Sequence, residues 1–126
     1  EYVRWRQAAR ASARETLDQM LDSHGLAAII APTAGPAPIV DPVNGSQFHG
    51  SVSSLPAVSG YPHLTVPSGS VCGLPLGLSF IGRPWSETQL LELGHAFEVA
   101  AGRAPEPRFM PSVAAMTDIA RAFDPG

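Results

Sequence analysis

Serine is the residue type here best supplied for nucleophilic chemistry, crowding one stretch as Ser46, Ser51, Ser53, Ser54, Ser59, Ser68 and Ser70. A serine hydroxyl attacks an acyl carbon when a neighbouring base takes its proton and N–H donors hold the resulting oxyanion. The strand-to-helix elbow that presents such a serine reads Gly-x-Ser-x-Gly. Gly69-Ser70-Val71-Cys72-Gly73 has a different spacing and joins two expected strands. Cys72 with His63 is the alternative nucleophile and base. In a hairpin, however, the cysteine falls near the turn and the histidine at the far strand end, beyond hydrogen-bond reach. The 4 histidines (His24, His49, His63 and His95) show no His-x-x-x-His spacing, and no Cys-x-x-Cys accompanies them. No metal site is therefore expected, and no phosphate-cradling glycine loop of the Walker or dinucleotide type is present. His63 at a strand start and His95 in a helix read as partly buried polar residues. All 8 basic residues are arginine, so the chain offers no lysine as a base. By residue types alone, the catalytic, metal and cofactor assignments are each none.

The elements that would carry these side chains follow from hydrophobic spacing. Trp5, Ala9, Ala13, Leu17, Met20 and Leu21 recur at helical intervals and predict a helix over 3–23, stopped by His24-Gly25. Arg6, Arg10 and Arg14 lie off that stripe and, offset by Glu15, Asp18 and Asp22, read as a solvated face. Leu26 to Ala31 is apolar without alternation and ends at Pro32, the pattern of a strand (26–31) buried on both faces of a sheet. A loop over 33–51, rich in Pro, Gly and Ala, follows. Then come a helical turn near 52–58 and strands at 63–67 and 76–81, each bounded by proline. Ser86-Glu87-Thr88-Gln89 has the form of a capping box opening a helix at 87–101, closed by Gly102. A tail over 103–126 holds one more short helix near 113–123. No internal repeat is present.

Composition sets limits on what this chain can be. At 126 residues, 44% hydrophobic and only 15% charged, it suits one well-buried domain rather than a disordered one. A net charge of -3 and a pI near 5.7 give no footprint for nucleic acid or an anionic membrane. No apolar run approaches the ~20 residues that span a bilayer, and no signal-peptide core is present. The single cysteine, Cys72, fits a reducing compartment, and a cytoplasmic location is expected. The chain begins at Glu1 rather than methionine, which favours a fragment of a longer protein over a trimmed start.

The most specific feature is an ordered series: Gly60-Tyr61-Pro62, Val66-Pro67-Ser68-Gly69, then Gly73-Leu74-Pro75-Leu76-Gly77-Leu78, Gly82-Arg83-Pro84, Ser86-Glu87, Leu90-Leu91 and Phe97-Glu98. Together with Ala28-Ile29-Ile30-Ala31-Pro32-Thr33 upstream, this series resembles the C-terminal part of the amidase-signature family over most of residues 1–110. The resemblance implies an α/β fold, the C-terminal portion of the amidase-signature architecture, with mixed sheet strands packed between helices. It also implies a parent hydrolase that cleaves the C–N bond of a small or aryl/acyl carboxamide, without metal or organic cofactor, through a Ser-Ser-Lys triad. With no lysine and no Gly-Gly-Ser loop here, no triad member maps onto this chain, which alone is expected to be inactive.

What the family implies for these residues is a wall of the substrate channel. The segment ahead of the Gly-x-Pro strand, with the loop after Pro32-Thr33, nominates Thr33, Gln47, Gly50, Ser51 and Ser54. Glutamyl-tRNA amidotransferase A-type subunits place an acid in this segment to read glutamine's ammonium. No acid lies between Asp41 and Glu87, leaving Asp41 as the one that could reach in. The expected partners are the amide substrate and the remainder of an amidase chain or a second copy, without nucleic acid or membrane. The alternatives are a non-catalytic binding or oligomerisation domain on the same scaffold, or the A-type subunit.

Overall fold

The computed structural model describes residues 1–38, 40–46, 50–102 and 106. Helix α1 spans Tyr2–Ser23 and strand β1 Ile29–Pro32; helix α2 covers Ser54–Ser59. Strands β2 (His63–Val71) and β3 (Leu74–Ile81) and helix α3 (Glu87–Ala101) follow. The sheet order is β1-β3-β2, and both pairings are antiparallel. The tail and helix expected over 103–126 lie outside the described residues, Glu106 apart.

The end of α1 explains where β1 begins. Gly25 sits at a φ of 58°. Its N–H bonds the Asp22 carbonyl at 3.2 Å, and the Leu26 N–H bonds Leu21 at 2.8 Å. These are the paired bonds of a Schellman stop, and they consume Leu26. The expected strand 26–31 therefore shifts to Ile29–Pro32. Nor is it buried on both faces among the described residues, where it pairs only with β3 and Ile30 is 60% exposed. Apolarity without alternation reports a preference for burial, and nothing among the described residues covers that side.

The hairpin is longer than the prolines suggest. Pairing runs from His63↔Ile81 to Val71↔Leu74, with a bulge between Pro67 and Gly69. Pro67 lies on an edge strand, and Pro75 lies beyond the reach of β1, so neither removes a needed ladder bond. Cys72 (φ 52°) and Gly73 (φ 78°) form the two-residue connection, the mirror-image turn whose twist matches the strands.

Alternate strand residues face opposite ways. One face buries Val66 and Phe80 against Leu90 of α3, with Ala28, Leu64, Leu78, Leu93 and Phe97 around them. Phe80 and Phe97 meet edge to face at 6.1 Å. Gly94 makes this fit possible: a Cβ there would stand 2.5 Å from Leu64 Cδ2. The other face packs Ile81 against Leu17 and Tyr61, joined by Ile29, Val52 and Leu55. Of the α1 stripe, Ala13, Leu17 and Leu21 are buried, whereas Trp5 is 68% exposed. A 22-residue helix runs about 33 Å, longer than the surface that covers it.

Two local expectations change. Ser86 makes no capping-box bond; its hydroxyl donates to the Arg83 carbonyl at 2.8 Å, closing a tight turn ahead of α3. The arginine face is not merely solvated. Arg10 Nε (3.3 Å) and Arg14 Nε (2.9 Å) both donate to the Ser59 carbonyl, anchoring the end of α2 to α1.

Candidate functional site

The second face changes character along its length. Beyond Ile29 and Ile81 it becomes polar, because His63 and Thr65 of β2 and Ser79 of β3 point the same way. Ser79 is wholly buried on the central strand. Its Oγ lies 2.6 Å from His63 Nε2 and 2.8 Å from Thr33 Oγ1, with Thr65 Oγ1 farther off at 3.4 Å. Burial holds the His63 imidazole below its ordinary pKa, favouring the neutral ring. A Cβ at Gly77 would meet Thr65 Cγ2 at 2.7 Å and Thr33 Oγ1 at 2.8 Å, so glycine allows the threonines to close over the strand.

Thr33 links this cluster to the long loop. Its N–H bonds the Gly77 carbonyl at 2.8 Å, extending the β1–β3 ladder by one residue. Its carbonyl accepts from Ser51 Oγ at 2.9 Å and from the Val52 N–H at 3.1 Å. Ser51 in turn meets Ser53 Oγ at 2.7 Å, and Ala34 bridges to Ser51. The excursion from residue 34 to 50 is thus stapled at its base. Beside the staple lies an open groove of about 480 Å³, lined by Pro32, Ala34, Gly35, Pro36, Gly50, Ser51, Val52 and Leu76. That lining is almost wholly apolar, suited to an aliphatic or aromatic group rather than a charge.

Of the nominated channel residues, Thr33 and Ser51 are brought together by a hydrogen bond, and Gly50 and Ser51 line the groove. Ser54 is exposed as the first residue of α2, away from that lining. Gln47 lies outside the described residues. Asp41 does not reach in: its carboxylate accepts from the Val43 and Asn44 N–H groups at 2.8 and 3.0 Å and from the Asn44 side chain at 2.9 Å. Those bonds, the Asn44 N–H first, hold its pKa below the usual carboxylate value.

None of these hydroxyls is arranged as a nucleophile. Ser59 is fully buried, donates to the Pro56 carbonyl and accepts from the Tyr61 N–H. Ser79 has a histidine at hydrogen-bond distance but no access to solvent. Cys72 is an exposed thiol at the hairpin tip; a nine-residue strand at ~3.3 Å per residue puts it roughly 30 Å from His63. Among the described residues no group of three His, Cys, Asp or Glu side chains could hold a metal ion. No helix among them is long and apolar enough to cross a membrane.

Sequence reasoning does not single out Ser79, and it weighs His63 only against Cys72 or as a partly buried polar residue. The signal lies in the alternation His63-x-Thr65, but it acquires meaning only when the hairpin register sets Thr65 opposite Ser79.

Known proteins resemble the chain at both levels. It is 35% identical over 109 residues to the glutamyl-tRNA(Gln) amidotransferase A subunit of Exiguobacterium sibiricum, a match covering 80% of this chain and 22% of that protein. The corresponding A subunit of Cereibacter sphaeroides is 36% identical over 108 residues, covering 79% and 21%. Among solved structures, native peptide amidase from Stenotrophomonas maltophilia superposes with a TM-score of 0.75 at 42% identity, covering 87% of this chain and 22% of that one. Peptide amidase PAM bound to the competitive inhibitor chymostatin gives a TM-score of 0.77 at 42% identity, covering 86% and 22%. No protein-family model matches the chain. The chain spans about a fifth of the length of these relatives.

Proposed function

The chain belongs to the amidase-signature family, matching a C-terminal segment of its members, and we propose that it completes a hydrolase that cleaves carboxamide C–N bonds. The observation that carries this reading is the apolar groove at the stapled loop, on a scaffold 42% identical to peptide amidase. In this assignment the Ser-Ser-Lys machinery sits on polypeptide outside these residues, and the present segment supplies a wall. Pro32, Ala34, Pro36, Val52 and Leu76 receive an apolar group flanking the amide, while Ser51 and Gly50 edge the opening. The partner is the remainder of the amidase chain, covering Ile30 and the first turns of α1, where Tyr2 and Trp5 are exposed. A cytoplasmic location fits the single free thiol.

The curated relatives named as amidotransferase subunits favour a second reading, in which glutamine is the amide donor. Against it, no acid lies between Asp41 and Glu87, and the Asp41 carboxylate is held by its own turn. Among the described residues lining this groove, an ammonium would meet no anion. Ammonia release by the full-length protein from an aryl amide, a C-terminally amidated peptide and free glutamine decides between the two. Hydrolysis of the apolar amides, with glutamine at least about tenfold poorer in kcat/KM, is expected. Glutaminase activity alone, dependent on copurifying subunits, would overturn the proposal.

A further inference from the structure

We propose that Ser79, backed by His63, is a positioning residue that fixes Thr33 and thereby the staple shaping the apolar groove. A serine hydroxyl has one proton and two lone pairs. Of its three neighbours, His63 Nε2 at 2.6 Å and Thr33 Oγ1 at 2.8 Å are within strong range, whereas Thr65 at 3.4 Å is not. Ser79 therefore acts as a two-sided link on the best-supported strand of the sheet, with the imidazole on one side and Thr33 on the other.

Thr33 is consequently held at three points: its hydroxyl by Ser79, its N–H by Gly77, and its carbonyl by Ser51 and Val52. The residues on either side of the staple, Ala34 to Pro36 and Gly50 to Val52, are groove lining. Displacing Thr33 displaces both walls. The link has no exposed atom of Ser79 with which to touch a substrate, so its effect passes through Thr33.

The inference rests on the proposed amide hydrolysis only for its kinetic readout. In the full-length protein, Ser79→Ala is expected to speed amide hydrogen exchange at Val52, whose N–H bonds the Thr33 carbonyl, by about tenfold. Exchange in the β2–β3 ladder should stay unchanged. Thr33→Val, nearly isosteric, tests the same link should Ser79→Ala fail to fold. His63→Leu should reproduce the shift in weaker form, and His63→Gln, which keeps a nitrogen or oxygen near the Nε2 position, should return exchange to the parent rate. For an aryl amide, the expected change is a rise in KM of about 3- to 10-fold with kcat within about twofold. Unaltered exchange at Val52 in both Ser79→Ala and Thr33→Val overturns the relay. Faster exchange with an unaltered KM overturns its role in the groove. If no amide is hydrolysed at all, the amidase reading falls, while the exchange result still upholds or overturns the relay.

Discussion

The face of the sheet under α3 and the face under α1 and α2 are made by alternate residues of the same strands, yet they are built differently. Under α3, Leu64, Val66, Leu78 and Phe80 give an apolar surface closed by Leu90 and Phe97. Opposite, Ile29 and Ile81 give way along the strands to His63, Thr65, Ser79 and Thr33. The first face holds its helix by area removed from water, which tolerates no vacancy. The second holds a loop by directional bonds and leaves a groove beside it. On the proposed reading, stability and recognition are thus separated by the two-residue period of a strand.

The largest break of this contrast comes from the apolar face. Leu90 is 2% exposed, and truncation to alanine is expected to cost about 2–5 kcal/mol, read as a lower denaturation midpoint. A cost below about 1 kcal/mol would mean that α3 is not the closing layer. Gly94→Ala should follow at roughly 1–3 kcal/mol, since the new Cβ would stand 2.5 Å from Leu64. On the polar face Gly77→Ala meets Thr33 and Thr65 instead. Its signature is the split between them: impaired use of an apolar amide at the Gly77 variant, and lost stability with unaltered KM at the Gly94 variant.

How far the sequence discloses this contrast depends on how local each cause is. The helices are local: Ala13, Leu17 and Leu21 repeat along one stripe, and that stripe is buried. The ends of β2 and β3 are not. Whether Pro67 and Pro75 stop a strand depends on whether an N–H is wanted there, and only the strand order decides that. The apolar run Leu26 to Ala31 announces burial but not what does the burying. The relay is least legible. Three ordinary residues, His63, Thr33 and Ser79, become one feature only through pairings 16 and 46 positions apart in sequence. The turns of the ordered Gly-Pro series are legible because each depends on a few adjacent residues, as at Cys72-Gly73.

A smaller effect tests the junction of the two faces. The Tyr61 hydroxyl donates to Asp18 Oδ1 at 2.7 Å, tying the segment between α2 and β2 to α1 where the apolar part of the second face ends. Burial first, and the Asp18 bond next, raise the phenol's pKa. Its folded value exceeds the unfolded one, so its contribution is full below about pH 10 and declines as pH rises towards the folded pKa. Tyr61→Phe should cost about 0.5–1.5 kcal/mol at neutral pH and flatten that alkaline decline. Equal alkaline profiles for the two proteins would show that this bond does not hold the junction.

The smallest effect has the opposite pH direction. The neutral His63 ring is favoured by burial, so its folded pKa lies below the unfolded value of about 6.5. Between those two values the unfolded chain binds the extra proton, and stability falls as pH drops. The contribution is present in full above about pH 6.5 and is lost as pH falls through the folded pKa. The same protonation turns Nε2 into an obligate donor towards Ser79, restricting how the Ser79 proton can be shared with Thr33. If the relay is directional, Val52 exchange should quicken over the interval in which the His63 ring proton resonances titrate, and the apolar face should show no such step. His63→Gln should abolish the step while leaving the neutral-pH exchange rate near that of the parent. A step of equal size in both faces would mean that acid loosens the sheet as a whole, and the distinction between a closed face and a positioning face would fail there.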